Sequence, residues 1–215
     1  MKSDDSWTAA WCCDKISHEK IVSASPAGAN MVQITHRERS EPVLVATMSQ
    51  EVVSSSELNR VYTSENIEFI LNIQKDALFQ RDALEMSEAL SFGLGGLGDF
   101  YTAANEMEFR AYLPKEFRFI IRGLRQHTRV TNVTRLNNRM LLVERSGMEE
   151  RRILALNEYD LTADAVRTGI EKFGVPQILL TSNPNCRPSG ESIAAASACG
   201  VEVLRFGELL GALNR

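Results

Sequence analysis

Short apolar runs alternate with amphipathic segments in the second half of the chain, which predicts an ordered series of strands and helices. Three β-prone runs, at 129–136, 140–145 and 152–157, are separated by an Asn-Asn pair at 137–138 and a Ser-Gly pair at 146–147. Because such pairs are typical of tight hairpin turns, the three runs predict an antiparallel meander.

Helices and strands then alternate towards the end of the chain. A helix capped by Thr162 is followed by an uninterrupted apolar run at 177–181, an alanine-rich helix at 191–199 and a last apolar run at 201–206. This alternation predicts right-handed crossovers and parallel pairing of the last two runs. The predicted fold class is therefore α/β, or α+β overall, with a mixed sheet in which an antiparallel meander precedes parallel βαβ crossovers.

The first half of the chain has a less regular pattern. Residues 1–20 are expected to form a loose or docked terminal arm, and the runs at 31–35, 43–47 and 67–73 predict strands. Asp76 is expected to cap a helix whose apolar stripe, at helical spacing, consists of Phe79, Ala83, Met86 and Leu90. The sequence shows no internal repeat.

A glycine-rich segment, GLGGLG at 93–98, matches the pattern GxGxxG. The dinucleotide fingerprint needs a strand directly before the glycines and a helix directly after them. Because a helix is predicted before them, we expect a helix C-cap and hinge, with Asp99 capping the next helix; a phosphate loop is the alternative.

Charge divides the chain more sharply than its net value of −4 suggests. Residues 1–109 carry a net charge of −9, residues 110–152 carry +7 and residues 153–215 carry −2. We therefore expect an acidic α+β N-terminal region over 1–110 and a separate domain over 111–215.

Arginine accounts for ten of the eleven basic residues in the positive segment. Arg118, Arg122 and Arg125 fall at i, i+4 and i+7 on one face of the helix predicted over 115–125, and Arg129 joins them if the helix continues. The planar guanidinium suits phosphate, so this face predicts binding of DNA or RNA. The alternative is a solvated face paired with the acidic N-terminal region. Aromatic residues are sparse here, so a stacking platform for single strands is not expected.

Targeting signals and metal motifs are not apparent. The N-terminus carries Asp4 and Asp5 where a signal peptide is basic, and no run of about 18 apolar residues occurs, so we expect a cytoplasmic protein with no membrane partner. The four cysteines lack CxxC spacing, which favours free thiols over a zinc site; an intermolecular disulfide through Cys12 or Cys13 is the alternative.

The stretch 163–213, with DAVRTGIEKFG, ILLTSNP, SIAAASACGVEVL and FGELLGAL, resembles the Mrr-like branch of the restriction-endonuclease-like, PD-(D/E)XK fold. The resemblance extends over residues 113–213 through the order of the predicted elements. It implies a nuclease fold and, by analogy, a phage-defence or mobile-element context.

The chemistry of that family implies an acidic residue on the second strand and an acidic-x-Lys motif on the third, which together hold Mg²⁺ or Mn²⁺. Glu144 matches the first acid, but Ala155 and Asn157 stand at the acidic-x-Lys positions. We therefore expect a degenerate site without a cofactor, in a non-catalytic, nucleic-acid-associated or complex-forming protein, as a homodimer or within a larger complex. The alternative is an active Mg²⁺- or Mn²⁺-dependent nuclease with relocated ligands among Glu144, Glu158 and Asp160.

The loop after the strand at 177–181 offers a third hypothesis. It leaves the carboxyl end of a buried parallel strand and opens a helix, which is where α/β sheets bind anions. Asn183, Asn185 and Arg187 could hold a phosphate there, as in a small-ligand or nucleotide-binding module. The alternative is an Asx or proline turn that closes the crossover.

Overall fold

The computed structural model describes residues 7–215, which divide into two compact units, one ending at Pro114 and the other beginning at Lys115. Each unit contains one five-stranded mixed sheet with helices. The first six residues of the predicted terminal arm, with Asp4 and Asp5, lie outside the described residues.

Unit 1 contains eleven elements within the described residues. In chain order they are α1 (Trp7–Lys15), β1 (Ile21–Gly28), β2 (Met31–His36), β3 (Val43–Met48), β4 (Val52–Val53), α2 (Ser55–Val61), β5 (Ile67–Asn72), β6 (Leu78–Phe79), α3 (Arg81–Leu90), β7 (Gly93–Gly95) and α4 (Leu97–Glu106). The sheet order is β1-β2-β3-β5-β7, antiparallel from β1 to β3 and parallel from β3 to β7. Strands β4 and β6 form a separate parallel pair.

Unit 2 contains α5 (Lys115–Arg125), β8 (Val130–Arg135), β9 (Met140–Arg145), β10 (Met148–Leu156), β11 (Asp160–Leu161), α6 (Ala163–Phe173), β12 (Ile178–Thr181), β13 (Arg187–Pro188), α7 (Gly190–Ala198), β14 (Glu202–Arg205) and α8 (Phe206–Ala212). The sheet order is β14-β12-β10-β9-β8, with a meander from β8 to β10 and parallel strands from β10 to β14. The predicted mixed α/β architecture of this half is confirmed.

The two units have the same element order and the same sheet topology, so the expectation that the chain has no internal repeat is wrong. Equivalent hydrogen bonds recur in both. The His36 side chain binds the Ala104 carbonyl at 3.0 Å, and Arg145 Nη1 donates to the Leu213 carbonyl at 3.1 Å; in each case the partners lie 68 residues apart.

The repeat is hidden in the sequence because equivalent positions conserve burial instead of residue type. Leu58 in α2 and Val166 in α6 are both buried, as are Phe100 in α4 and Leu209 in α8. Apolar residues of different shape can fill equivalent places in a core when the total volume is kept.

Unit 1 corrects two expectations about its helices. Residues 7–15 of the predicted arm form α1, whose Thr8 and Cys12 are buried. Asp76 does not cap a helix, because it lies in a turn with φ +56°, and the N-cap of α3 is Gln80. Phe79 belongs to β6 and not to the helical stripe.

The glycine-rich segment is a strand and a helix start, not the expected hinge. Gly93 to Gly95 form β7, and Gly96 caps α4. A Cβ on Gly93 would lie 2.1 Å from the Phe109 carbonyl oxygen, so the tight packing of this strand requires glycine. Asp99 accepts the Gly96 N–H at 2.9 Å, so a carboxylate already occupies this helix N-terminus and a phosphate is disfavoured.

Alternate residues of the central strands supply the core of unit 1 on both faces of its sheet. Val45 and Phe69 pack on one face with α1 and α4, and Ala46 and Ile70 pack on the other with α2 and α3. All four cysteines are free, and burial raises the pKa of the Cys12 thiol to about 12. Within residues 7–215, no helix is both long and apolar enough to cross a membrane.

Candidate functional site

The three carboxylates considered as relocated metal ligands lie in different local settings. Glu144 is on β9, where its Oε1 accepts the side-chain amide of Asn132 at 3.0 Å. Glu158 and Asp160 are exposed in the segment after β10. Across residues 7–215, no three His, Cys, Asp or Glu side chains come together in a group that could hold a metal ion.

The two positions that correspond to the acidic-x-Lys motif differ in exposure. Ala155 is buried in β10, and its N–H donates to the Arg139 carbonyl at 2.9 Å. Asn157 follows the last residue of β10, and its side-chain amide donates to Glu116 Oε2 at 3.3 Å. The carboxylate that the Asn157 side chain contacts therefore comes from α5, not from the strand.

Glu116 collects donors from three other segments, and we call Glu116, Arg139, Asn157 and Ser182 the Glu116 cluster. Arg139 Nη1 donates to both carboxylate oxygens, at 2.9 and 2.8 Å, and the Ser182 hydroxyl donates to Oε1. The Arg139 guanidinium also lies over the Phe117 ring, 5.8 Å from its centroid. The cluster joins the first turn of α5 to the carboxyl ends of β10 and β12.

The Glu116 cluster does not suit a divalent cation or a general base. A guanidinium bound to both oxygens neutralises the carboxylate and repels a metal ion. Two further donors, Asn157 and Ser182, engage the remaining lone pairs of the carboxylate. In this arrangement the Glu116 carboxylate is not available as a metal ligand.

Unit 1 has hydroxyl groups at the equivalent edge. Thr8, the second residue of α1 as Glu116 is of α5, bonds its hydroxyl to that of Thr47 at 2.7 Å. The Thr47 N–H donates to the Asn30 carbonyl, as that of Ala155 does to Arg139. The charged cluster therefore distinguishes unit 2 from unit 1.

The loop proposed as an anion site is closed by its own hydrogen bonds. Asn183 Oδ1 accepts the Asn185 N–H at 2.9 Å, which is an Asx turn, and the Asn183 carbonyl accepts the Cys186 N–H at 3.0 Å. The Arg187 guanidinium lies over the Tyr159 ring, 5.6 Å from its centroid. The amide of Asn183 is thus used within the turn and Arg187 packs on an aromatic face.

Several arginines of the positive segment have structural partners. Arg110 lies 3.7 Å from the Glu68 carboxylate, and Arg139 pairs with Glu116. Arg145 is buried and donates to the carbonyls of Glu149, Leu213 and Arg215. Arg118 is half-buried, and Arg135 lies over Phe117. These side chains stabilise the fold and are not free to bind phosphate.

Arg122, Arg125 and Arg129 differ from that group. All three are exposed, and within residues 7–215 no hydrogen bond or ion pair is found for their guanidinium groups. Arg122 and Arg125 are one turn apart at the end of α5, and Arg129 directly precedes β8. The unit 1 positions equivalent to Arg122 and Arg129 carry Asp14, which pairs with Lys15, and Lys20, which pairs with Glu38. The unpaired positive surface is therefore particular to unit 2.

A pair of aromatic rings lies beside these arginines. Phe119, 63% exposed, packs against Phe206 of α8 with ring centroids 4.9 Å apart. A Cβ on Gly123 would lie 2.5 Å from the Phe206 ring, so glycine is required for this approach of α8 to α5. A cavity of 440 Å³ adjoins the rings, lined by Phe119, Arg122, Gln126, His127, Phe206 and Leu210.

Sequence reasoning missed Glu116 and Phe206 as partners of the predicted site residues. Glu116 could have been noticed as an acid in the first turn after Pro114, but such residues also occur simply because they favour the helix dipole. No local signal connects Phe206 to Phe119, because only the folded chain brings α8 to α5.

Comparison of the chain with protein-family profiles, with curated protein sequences and with solved structures gave no match.

Proposed function

We propose that this protein binds nucleic acid through unit 2 without cleaving it, using the exposed guanidinium groups of Arg122, Arg125 and Arg129. The observation that carries the proposal is that, among the residues of unit 2, no hydrogen bond or ion pair is found for these guanidinium groups. Acidic side chains of unit 2 would neutralise these arginines if their role were pairing within that unit.

The placement of these arginines suits a phosphate backbone. Three cations lie along the last turn of α5 and the loop after it, and a guanidinium binds phosphate oxygens through paired N–H groups. Contacts of this kind depend little on sequence, because phosphate is the same at every nucleotide. The lack of cleavage is supported by the Glu116 cluster, where Arg139 pairs with the carboxylate that accepts the Asn157 side-chain amide.

The test is the salt dependence of binding to labelled DNA and RNA, measured by fluorescence anisotropy. Three phosphate contacts predict a slope of log K against log salt of about −3 on duplex DNA. Arg122→Glu with Arg125→Glu should weaken binding at least ten-fold and reduce the slope by about two units, because two contacts are lost.

A matched control changes the same charge elsewhere. Arg81→Glu with Arg167→Glu alters two exposed arginines whose partners are Glu85 and Asp164 on their own helices. This variant should bind as the wild type does. Equal weakening in both variants, or no salt-sensitive binding by the wild type, would contradict the proposal and favour a role in a protein complex.

A further inference from the structure

We propose that the cavity beside Phe119 and Phe206 holds an unpaired base, so that unit 2 prefers single-stranded over duplex nucleic acid. This inference rests on the proposed function, because the same arginines would hold the phosphates of that strand. It adds an aromatic site that the sparse aromatic residues of the positive segment did not predict.

Unit 1 has an aromatic ring at the place that corresponds to the cavity beside His127. His18 and His127 form the same turn, each accepting a backbone N–H at Nδ1, from Lys20 and Arg129, at 3.2 Å. In unit 1 the Tyr101 ring stacks on His18, with centroids 5.1 Å apart and planes 20° apart. A planar ring therefore fits against this histidine.

Unit 2 lacks the ring that fills this place in unit 1. Leu210 is the fifth residue of α8, as Tyr101 is of α4, and it lines the open cavity. Phe119 is the fifth residue of α5 and is exposed, whereas its counterpart Trp11 packs partly buried on the core of unit 1. The Tyr101 ring fills the space beside His18 in unit 1, whereas the corresponding space beside His127 in unit 2 is open.

The rim of the cavity suits a nucleotide better than a purely apolar group. Arg122 lines it, and Arg125 and Arg129 are exposed nearby, which complements phosphate. Because the Arg129 N–H binds His127 Nδ1, the neutral ring carries its hydrogen on Nε2 and can donate it to a base edge. The amide of Gln126 can donate and accept.

The experiment compares a single-stranded oligonucleotide with an abasic strand of the same length and charge. The wild type should bind the strand with bases about 5- to 150-fold more tightly, which is the range for one stacked base. Leu210→Tyr introduces the ring that unit 1 has and should remove this difference while leaving the salt slope unchanged. Phe119→Ser should reduce the difference, and Leu210→Met should keep it.

The outcomes separate this inference from the proposed function. Equal binding of both strands by the wild type would overturn the base site and leave phosphate binding in place. No binding of either strand would overturn both. Self-association that Leu210→Tyr and Phe119→Ser weaken, without oligonucleotide binding, would assign the aromatic surface to a second copy of the chain.

Discussion

Arg145 belongs to the positive segment that the sequence predicts at the surface, but the fold buries its side chain. It is 5% exposed and lies at the end of β9, where it donates to the carbonyls of Glu149, Leu213 and Arg215. Burial and the nearby Arg151 lower its pKa. His36 binds the Ala104 carbonyl at the equivalent place in unit 1. A cationic or N–H donor at this position fixes the last helix of each unit by its carboxyl end.

Replacement of this arginine should destabilise the protein. Arg145→Met keeps most of the volume but leaves three carbonyls without their donor, so we expect the free energy of unfolding to fall by about 2–4 kcal/mol. Urea unfolding followed by circular dichroism measures this. Arg167→Met, on the exposed face of α6, should change it by less than about 0.5 kcal/mol. A similar loss in both variants would show that the carbonyl contacts are not the cause.

At the scale of single elements, caps define where the helices begin. Ser54 and Glu57 form a capping box at α2. The Ser54 side chain accepts a backbone N–H of the first helical turn, and the Glu57 carboxylate accepts the Ser54 N–H. Hydrogen bonding to Ser54 lowers the pKa of Glu57 below its ordinary value of 4.5. Asp82 in α3 accepts the Ser55 N–H at 3.0 Å, which joins the starts of the two helices.

The capping box predicts a pH-dependent contribution to stability. Glu57→Ala should lower the free energy of unfolding by about 0.5–1 kcal/mol at neutral pH. Because the folded-state pKa is lowered, this contribution is complete above the unfolded pKa and is lost as the pH falls below about 4. Chemical unfolding of both proteins from pH 7 to 3 measures the difference. A difference that stays constant from pH 7 to 3 would contradict the explanation.

At the scale of the whole molecule, the chain contains one topology twice, and the two copies differ in what lies at the edge of the sheet. Neither copy carries an acidic-x-Lys motif on its third strand. Unit 2 has Ala155 and Asn157 at these positions, and unit 1 has Thr47 and Ser49. The Glu116 cluster and the arginine surface belong to unit 2 alone.

Because neither third strand carries an acidic-x-Lys motif, we predict that the purified protein does not cleave DNA or RNA in Mg²⁺ or Mn²⁺. Labelled duplex and single-stranded substrates, incubated with each metal and resolved by gel electrophoresis, should remain intact. Cleavage that Glu144→Ala or Asp160→Ala abolishes would show that relocated carboxylates hold a metal and would make the protein a nuclease.

The sequence predicted those features of the site that depend on residues close together in the chain. The helix at 115–125 and its arginines follow from periodicity, and its bounds match α5. The side-chain environment does not follow from periodicity, because burial of Arg145 and pairing of Arg139 depend on residues distant in sequence. Arg122, Arg125 and Arg129 remain the nucleic-acid candidates, and half-buried Arg118 contributes less surface.

The sequence by itself determined the helices of unit 2 and the five strands of its main sheet, in order, because alternation, hydrophobic runs and turn residues act over a few positions. It did not predict the short parallel pair β11 and β13, whose strands are only two residues long. It also determined the charge of each segment. Only the tertiary structure decided that residues 7–15 pack as a helix, that β7 is a strand, and that unit 1 repeats the topology of unit 2. Strand pairing and helix docking are set by contacts between distant residues, and equivalent contacts can be made by different side chains.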